Sequence, residues 1–142
     1  MKKTAITYSS SELKKAVTEF ISFTKGHHIF KLFGEMGAGK TTFIHSYCQT
    51  IKTTSEASSP TYSIINEYET DEGKKIYHAD LFRLKNIDEL LNIGFEDYLK
   101  EEDCTIFIEW PQVAEALLPE NAVSLYFETI SPTERTLTIL LP

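Results

Sequence analysis

The sequence predicts an α/β fold in three layers, with helices on both sides of a mixed, mainly parallel central sheet that carries antiparallel hairpin strands. Three observations predict it. A β-rich run over residues 28–33 leads into Gly34-Glu35-Met36-Gly37-Ala38-Gly39-Lys40-Thr41, and a helix-compatible run follows over 41–49. Thr105-Ile106-Phe107-Ile108-Glu109-Trp110-Pro111 sets large apolar residues before an acid, which describes a strand buried on both faces with a carboxylate at its C-terminal edge. Two further β-rich runs, 62–69 and 74–79, flank Asp71-Glu72-Gly73 and read as a hairpin.

The other elements follow from spacing and punctuation. Residues 4–8 suit a short edge strand. Ser9 and Glu12 have capping-box spacing, and Leu13, Ala16, Val17, Phe20 and Ile21 recur at helical period, so a helix is expected over 10–25 with Gly26 as its stop. His27 and His28 are adjacent at the entry to a strand and point to opposite faces, a poor metal pair. Residues 53–61 form a polar linker. Residues 86–99 have a helical pattern that Gly94 weakens or bends. Pro111 opens a short helix through residue 118, and runs over 123–129 and 136–141 make a final strand pair. Nothing divides the 142 residues, so a single domain spanning 1–142 is expected.

Composition removes several classes of function. The first residues are basic but lack the apolar core of a secretory signal, and no apolar run approaches membrane-spanning length. The cysteines, Cys48 and Cys104, lack metal-ligand spacing and suit buried free thiols. A cytoplasmic location follows. Fourteen basic against 21 acidic side chains give a net charge of −7, with only two arginines, Arg83 and Arg135. Direct, tight binding to a polynucleotide needs clustered cations to neutralise phosphates, so nucleic acid is expected only through a partner.

Residues 34–41 match the phosphate-loop template at every fixed position. Small residues let backbone N–H groups turn inward as an anion nest, at the N-terminus of a helix. This gives the fold class its full form, a three-layer P-loop NTPase fold. Glu35, Met36, Gly37, Ala38, Gly39, Lys40, Thr41 and Thr42 are the expected nucleotide contacts, with Lys40 on the outer phosphates and the Thr41 hydroxyl on magnesium. Ser9 and Arg135 are candidates for the nucleoside side. Thr61, beside Pro60, is the candidate sensor of the terminal phosphate. Asp80 and Glu109 each end a strand, where open α/β sheets bind ligands. Glu109 is assigned to the ion together with Thr41, and Asp80 to orienting water or the ion's hydration shell; the reverse assignment remains open. No Asn-Lys-x-Asp guanine motif occurs, so ATP is preferred over GTP. A small-molecule kinase, the runner-up, generally needs several arginines around the transferring phosphate.

The order and spacing of residues 34–42, Ser59-Pro60-Thr61-Tyr62, His78-Ala79-Asp80-Leu81-Phe82-Arg83-Leu84 and Ile108-Glu109-Trp110-Pro111 resemble the TsaE (YjeE) family, over nearly the whole chain. Glu89-Leu90-Leu91, Gly94 and Arg135 fit the same likeness. The resemblance implies a magnesium-dependent ATPase, weak alone, that cycles ATP and ADP to support the TsaB–TsaD complex. That complex places threonylcarbamoyl on adenosine 37 of tRNAs reading codons that begin with A. It also implies that Lys40, Thr61, Asp80 and Glu109 are the functional positions. Phe82 stands where the family often has tyrosine, which removes a hydroxyl and keeps the ring. Trp110 and Arg83 match motif positions to which chemistry assigns no role.

Overall fold

The computed structural model describes residues 2–53 and 64–142. Its seven strands are β1 (Lys3–Ser9), β2 (Ile29–Phe33), β3 (Ile65–Glu69), β4 (Lys75–Asp80), β5 (Cys104–Glu109), β6 (Val123–Ser131) and β7 (Glu134–Leu140). They form one sheet in the order β1-β7-β6-β2-β5-β4-β3. The central strands β6, β2, β5 and β4 run parallel to one another. Antiparallel strands close both edges, with β7 and β1 on one side and β3 on the other.

Parallel neighbours explain the apolar stretch in β5. With β2 on one side and β4 on the other, Ile106, Phe107, Ile108 and Glu109 are all buried. Their side chains alternate. Phe107 enters the core shared with α1 (Leu13–Phe23) and α2 (Lys40–Thr50), while Ile106 and Ile108 enter the core beneath α3 (Ile87–Asn92) and α4 (Phe95–Lys100). The second core also receives Ala114 from the 3-10 helix Pro111–Leu117. These two apolar faces make the sheet the middle of three layers, as expected.

The first core is built on aromatic rings. Phe20 of α1 lies with its centroid 5.0 Å from Phe30 and 5.2 Å from Phe43, and Tyr47 meets Phe107 edge-on at 4.9 Å. This network fixes α2 against β2 and β5, so the start of α2 is held over the C-terminal ends of those strands.

Helix punctuation follows local chemistry. The expected helix over 10–25 begins as one 3-10 turn, Ser10–Glu12, where the Glu12 carboxylate accepts the Ser9 backbone N–H at 3.0 Å. The helical pattern of 86–99 divides into α3 and α4. Asn86 caps the first through the Glu89 N–H, and Gly94, at φ +76°, turns the chain between the two. The segment after Pro111 is 3-10 in type. Thr61, the candidate phosphate sensor, lies outside the described residues, as do the rest of 54–63 and so most of the polar segment expected over 53–61. Among the described residues no helix is long and apolar enough to cross a membrane.

Candidate nucleotide site

The phosphate loop leaves β2 at Gly34. A side chain there would place its Cβ 2.8 Å from the Phe127 carbonyl oxygen and 3.2 Å from the Phe127 Cβ, so only glycine lets the loop pass against β6. Gly37 and Gly39 hold φ values of +82° and +97°, which the turn requires and which side chains disfavour. Gly39 caps α2, and its carbonyl accepts the Phe43 N–H at 2.9 Å. The preceding N–H groups at the helix start have no partner within the helix, which equips this end for an anion.

Beside the loop lies a cavity of about 420 Å³. Met36, Gly37, Gly39, Lys40, Thr41 and Thr42 line one side, and Asp80, Phe82, Glu109 and Trp110 close the strand end. Tyr8, Ser10 and Leu13 complete the lining with Pro132, Thr133 and Arg135 of the β6–β7 hairpin. Of the sequence-predicted residues, Ser9 does not line the cavity; its hydroxyl meets Glu12 and Ser11, and Ser10 faces the cavity instead. Glu35 and Ala38 contribute loop backbone, their turn closed by the Ala38 N–H donating to the Glu35 carbonyl at 3.1 Å.

Asp80 and Glu109 are brought together by register. They are direct partners in the β4–β5 ladder, although α3 and α4 separate their strands in sequence. Their environments differ. Glu109 is buried, and its Oε2 accepts the Thr41 hydroxyl at 2.8 Å and the Nε2–H of His78. Burial acts to raise the Glu109 carboxyl, but the His78 and Thr41 bonds and the nearby Lys40 charge outweigh it and hold it below the ordinary carboxylate range. Asp80 is exposed, and its Oδ1 accepts the Phe82 N–H at 3.1 Å. The geometry therefore joins Glu109 to Thr41 and leaves Asp80 on the open side.

Lys40 is folded back on its own loop. Its ammonium donates to the Gly34 carbonyl at 2.6 Å and sits 3.8 Å from the centre of the Trp110 ring. Burial pulls its pKa down, and Glu109 and Asp80 push it back up. Trp110 reaches this place through a left-handed backbone, φ 55° and ψ 58°, with Phe82 packed on it at 5.0 Å. Arg135 spans the other rim, its guanidinium donating to carbonyls of the loop and of its own hairpin.

Sequence reasoning left Trp110 and Arg83 without roles and gave His78 none: Trp110 lines the cavity, Arg83 is exposed and does not line it, and His78 meets Glu109. The alternation of β4 was the available signal for His78: it lies on the same face as Asp80, one strand from Glu109. The oxygen-rich set of a Thr41 hydroxyl with the Glu109 and Asp80 carboxylates suits a hard divalent cation such as magnesium. No group of three or more histidine, cysteine or acidic side chains, the pattern of an all-protein metal cage, occurs among the described residues.

Comparison with known proteins agrees with this architecture. The model of the family described as "Threonylcarbamoyl adenosine biosynthesis protein TsaE" matches residues 7–137. A protein named tRNA threonylcarbamoyladenosine biosynthesis protein TsaE from Borreliella burgdorferi is 35% identical over 82% of this chain and 89% of its own length. One of the same name from Bacillus subtilis is 30% identical over 93% of this chain and 81% of its own. The crystal structure of Bacillus subtilis YdiB superposes with a TM-score of 0.70, covering 99% of this chain and 87% of that one at 24% identity, and shares the fold. On the family match and these relatives, the chain belongs to the TsaE family.

Proposed function

We propose that this protein is an ATPase of tRNA threonylcarbamoyladenosine (t6A) biosynthesis, hydrolysing ATP to ADP and phosphate in support of a TsaB–TsaD transfer complex. The observation that carries the reading is the convergence of Lys40, Thr41, Asp80 and Glu109 on one cavity at the N-terminus of α2. The loop amides and the start of α2 bind the phosphates. Lys40 leaves the Gly34 carbonyl and the Trp110 face to neutralise the outer phosphates. Thr41 and Glu109 would hold magnesium, which would supply positive charge against the phosphates. His78 keeps the Glu109 carboxylate oriented and ionised. Asp80, on the open side, accepts a hydrogen bond from the attacking water. The water oxygen bonds to the γ-phosphorus as the bridge to the β-phosphate breaks, and the water's proton ends on phosphate or solvent.

A small-molecule kinase is less well supported. Arg135 is the single arginine lining the cavity among the described residues, and its guanidinium is engaged by backbone carbonyls. With a net charge of −7 the chain reaches tRNA through its partners.

The test is Lys40→Ala, combined with ATPase assays with and without TsaB and TsaD. We expect nucleotide binding to be lost, hydrolysis by the wild type to rise when both partners are added, and t6A to vanish from digested tRNA of cells carrying only the variant. Normal t6A in those cells refutes the assignment.

A further inference from the structure

We propose that Arg135 is a positioning residue that braces the phosphate loop, acting on the nucleotide only through the loop's backbone; this rests on the nucleotide-binding reading above. The guanidinium donates from Nε to the Ala38 carbonyl at 3.2 Å and from Nη2 to the Gly37 carbonyl at 3.4 Å. Its Nη1 is anchored in the β6–β7 hairpin, to the Ser131 carbonyl at 2.8 Å and the Glu134 carbonyl at 3.0 Å. One rigid, planar fork therefore ties two consecutive loop carbonyls to a hairpin residue 97 and 98 positions away.

The consequence follows from peptide geometry. In a trans peptide the carbonyl and the next N–H point in opposite directions. Holding the Ala38 oxygen outward fixes the direction of the Gly39 N–H. Holding the Gly37 oxygen likewise fixes the Ala38 N–H, which closes the turn onto the Glu35 carbonyl. An anion nest works only while its carbonyls face away from the phosphates, because a carbonyl turned inward would repel them. Gly39 packs directly on the brace, since a Cβ there would lie 3.7 Å from the Arg135 Nε. The same hairpin lines the cavity through Pro132 and Thr133, so the brace also ties the loop to that part of the cavity wall. A direct phosphate clamp would need free guanidinium N–H groups aimed at the phosphates. Here four of the five guanidinium N–H groups have backbone acceptors, which leaves one on Nη2, too few for a two-pronged clamp.

The brace and a simple positive charge predict different outcomes for Arg135→Lys. Lysine keeps the charge but presents a point ammonium that cannot span four carbonyls. For both Arg135→Lys and Arg135→Gln we expect calorimetric affinity for ADP and for a non-hydrolysable ATP analogue to fall by the same factor. That factor is about ten- to a hundredfold, the scale of one charge-assisted hydrogen bond lost. Amide exchange at Gly39 in the nucleotide-free variants quickens, and circular dichroism reports whether the fold is kept. Wild-type affinity in Arg135→Lys, a loss at least tenfold larger for the ATP analogue than for ADP, or unchanged Gly39 exchange overturns the proposal. If the variants do not fold, the wild type decides: an Arg135 Nε–H that exchanges as fast as a free guanidinium refutes the brace, and a protected one upholds it. A wild type that binds neither nucleotide defeats the ATPase reading, while the exchange rates still judge the brace.

Discussion

Glu109 keeps its charge in a buried position because two donors and a cation surround it. The His78 ring, the Thr41 hydroxyl and the Lys40 ammonium favour the carboxylate over the acid despite burial. Its folded-state pKa lies below the ordinary 4.5, so the stability it contributes is complete above that pH and is lost as acid titrates the folded group below it. We expect the wild type to lose stability as pH falls below 4.5, and Glu109→Gln, with no charge to lose, to show a flatter acid limb. Urea denaturation of both proteins from about pH 6 down to about pH 3 measures the difference. The acid at the end of β5 was legible in the sequence as a chemical group. Its partners were not, because Thr41 and His78 lie 68 and 31 residues away and meet it only through sheet order.

Among the elements, the loop between β2 and α2 is shaped by contacts on both sides. Gly34 faces the backbone of β6, where an added methyl group would have to displace the Phe127 carbonyl from 2.8 Å. Gly34→Ala is expected to destabilise the fold by about 1–3 kcal/mol and to abolish nucleotide binding, since either the loop or β6 must move. Chemical denaturation and calorimetric titration with ADP check the two effects separately. The sequence motif already announced glycine here; the reason it cannot be alanine is a strand nearly a hundred residues later. Gly94 shows the opposite case. A helix was legible on both sides of it, and its positive φ of 76° breaks that helix by local chemistry alone.

For the whole molecule, stability and site geometry share one aromatic core. Phe20 touches Phe30, Phe43, Tyr47 and Phe107, and these rings connect α1, α2, β2 and β5. Phe20→Ala is expected to cost about 3–5 kcal/mol and lower the melting temperature by about 10–17 °C. Because α2 carries Lys40 and Thr41, the same variant should weaken nucleotide binding without touching the cavity, which thermal melts with and without added ATP distinguish.

Local pattern was enough for most elements of this chain and for the glycine-shaped turn between β2 and α2. Glycine, lysine and threonine in that spacing, and period-2 or helical hydrophobicity, act through neighbours a few residues apart. Sheet order was not local. It set Asp80 beside Glu109, buried one and exposed the other, brought His78 to a carboxylate and carried Arg135 to the Gly37 and Ala38 carbonyls. Those contacts join residues whose separation no periodicity encodes, and burial, which encloses Glu109 among its donors and leaves Asp80 exposed, exists only once the layers have closed.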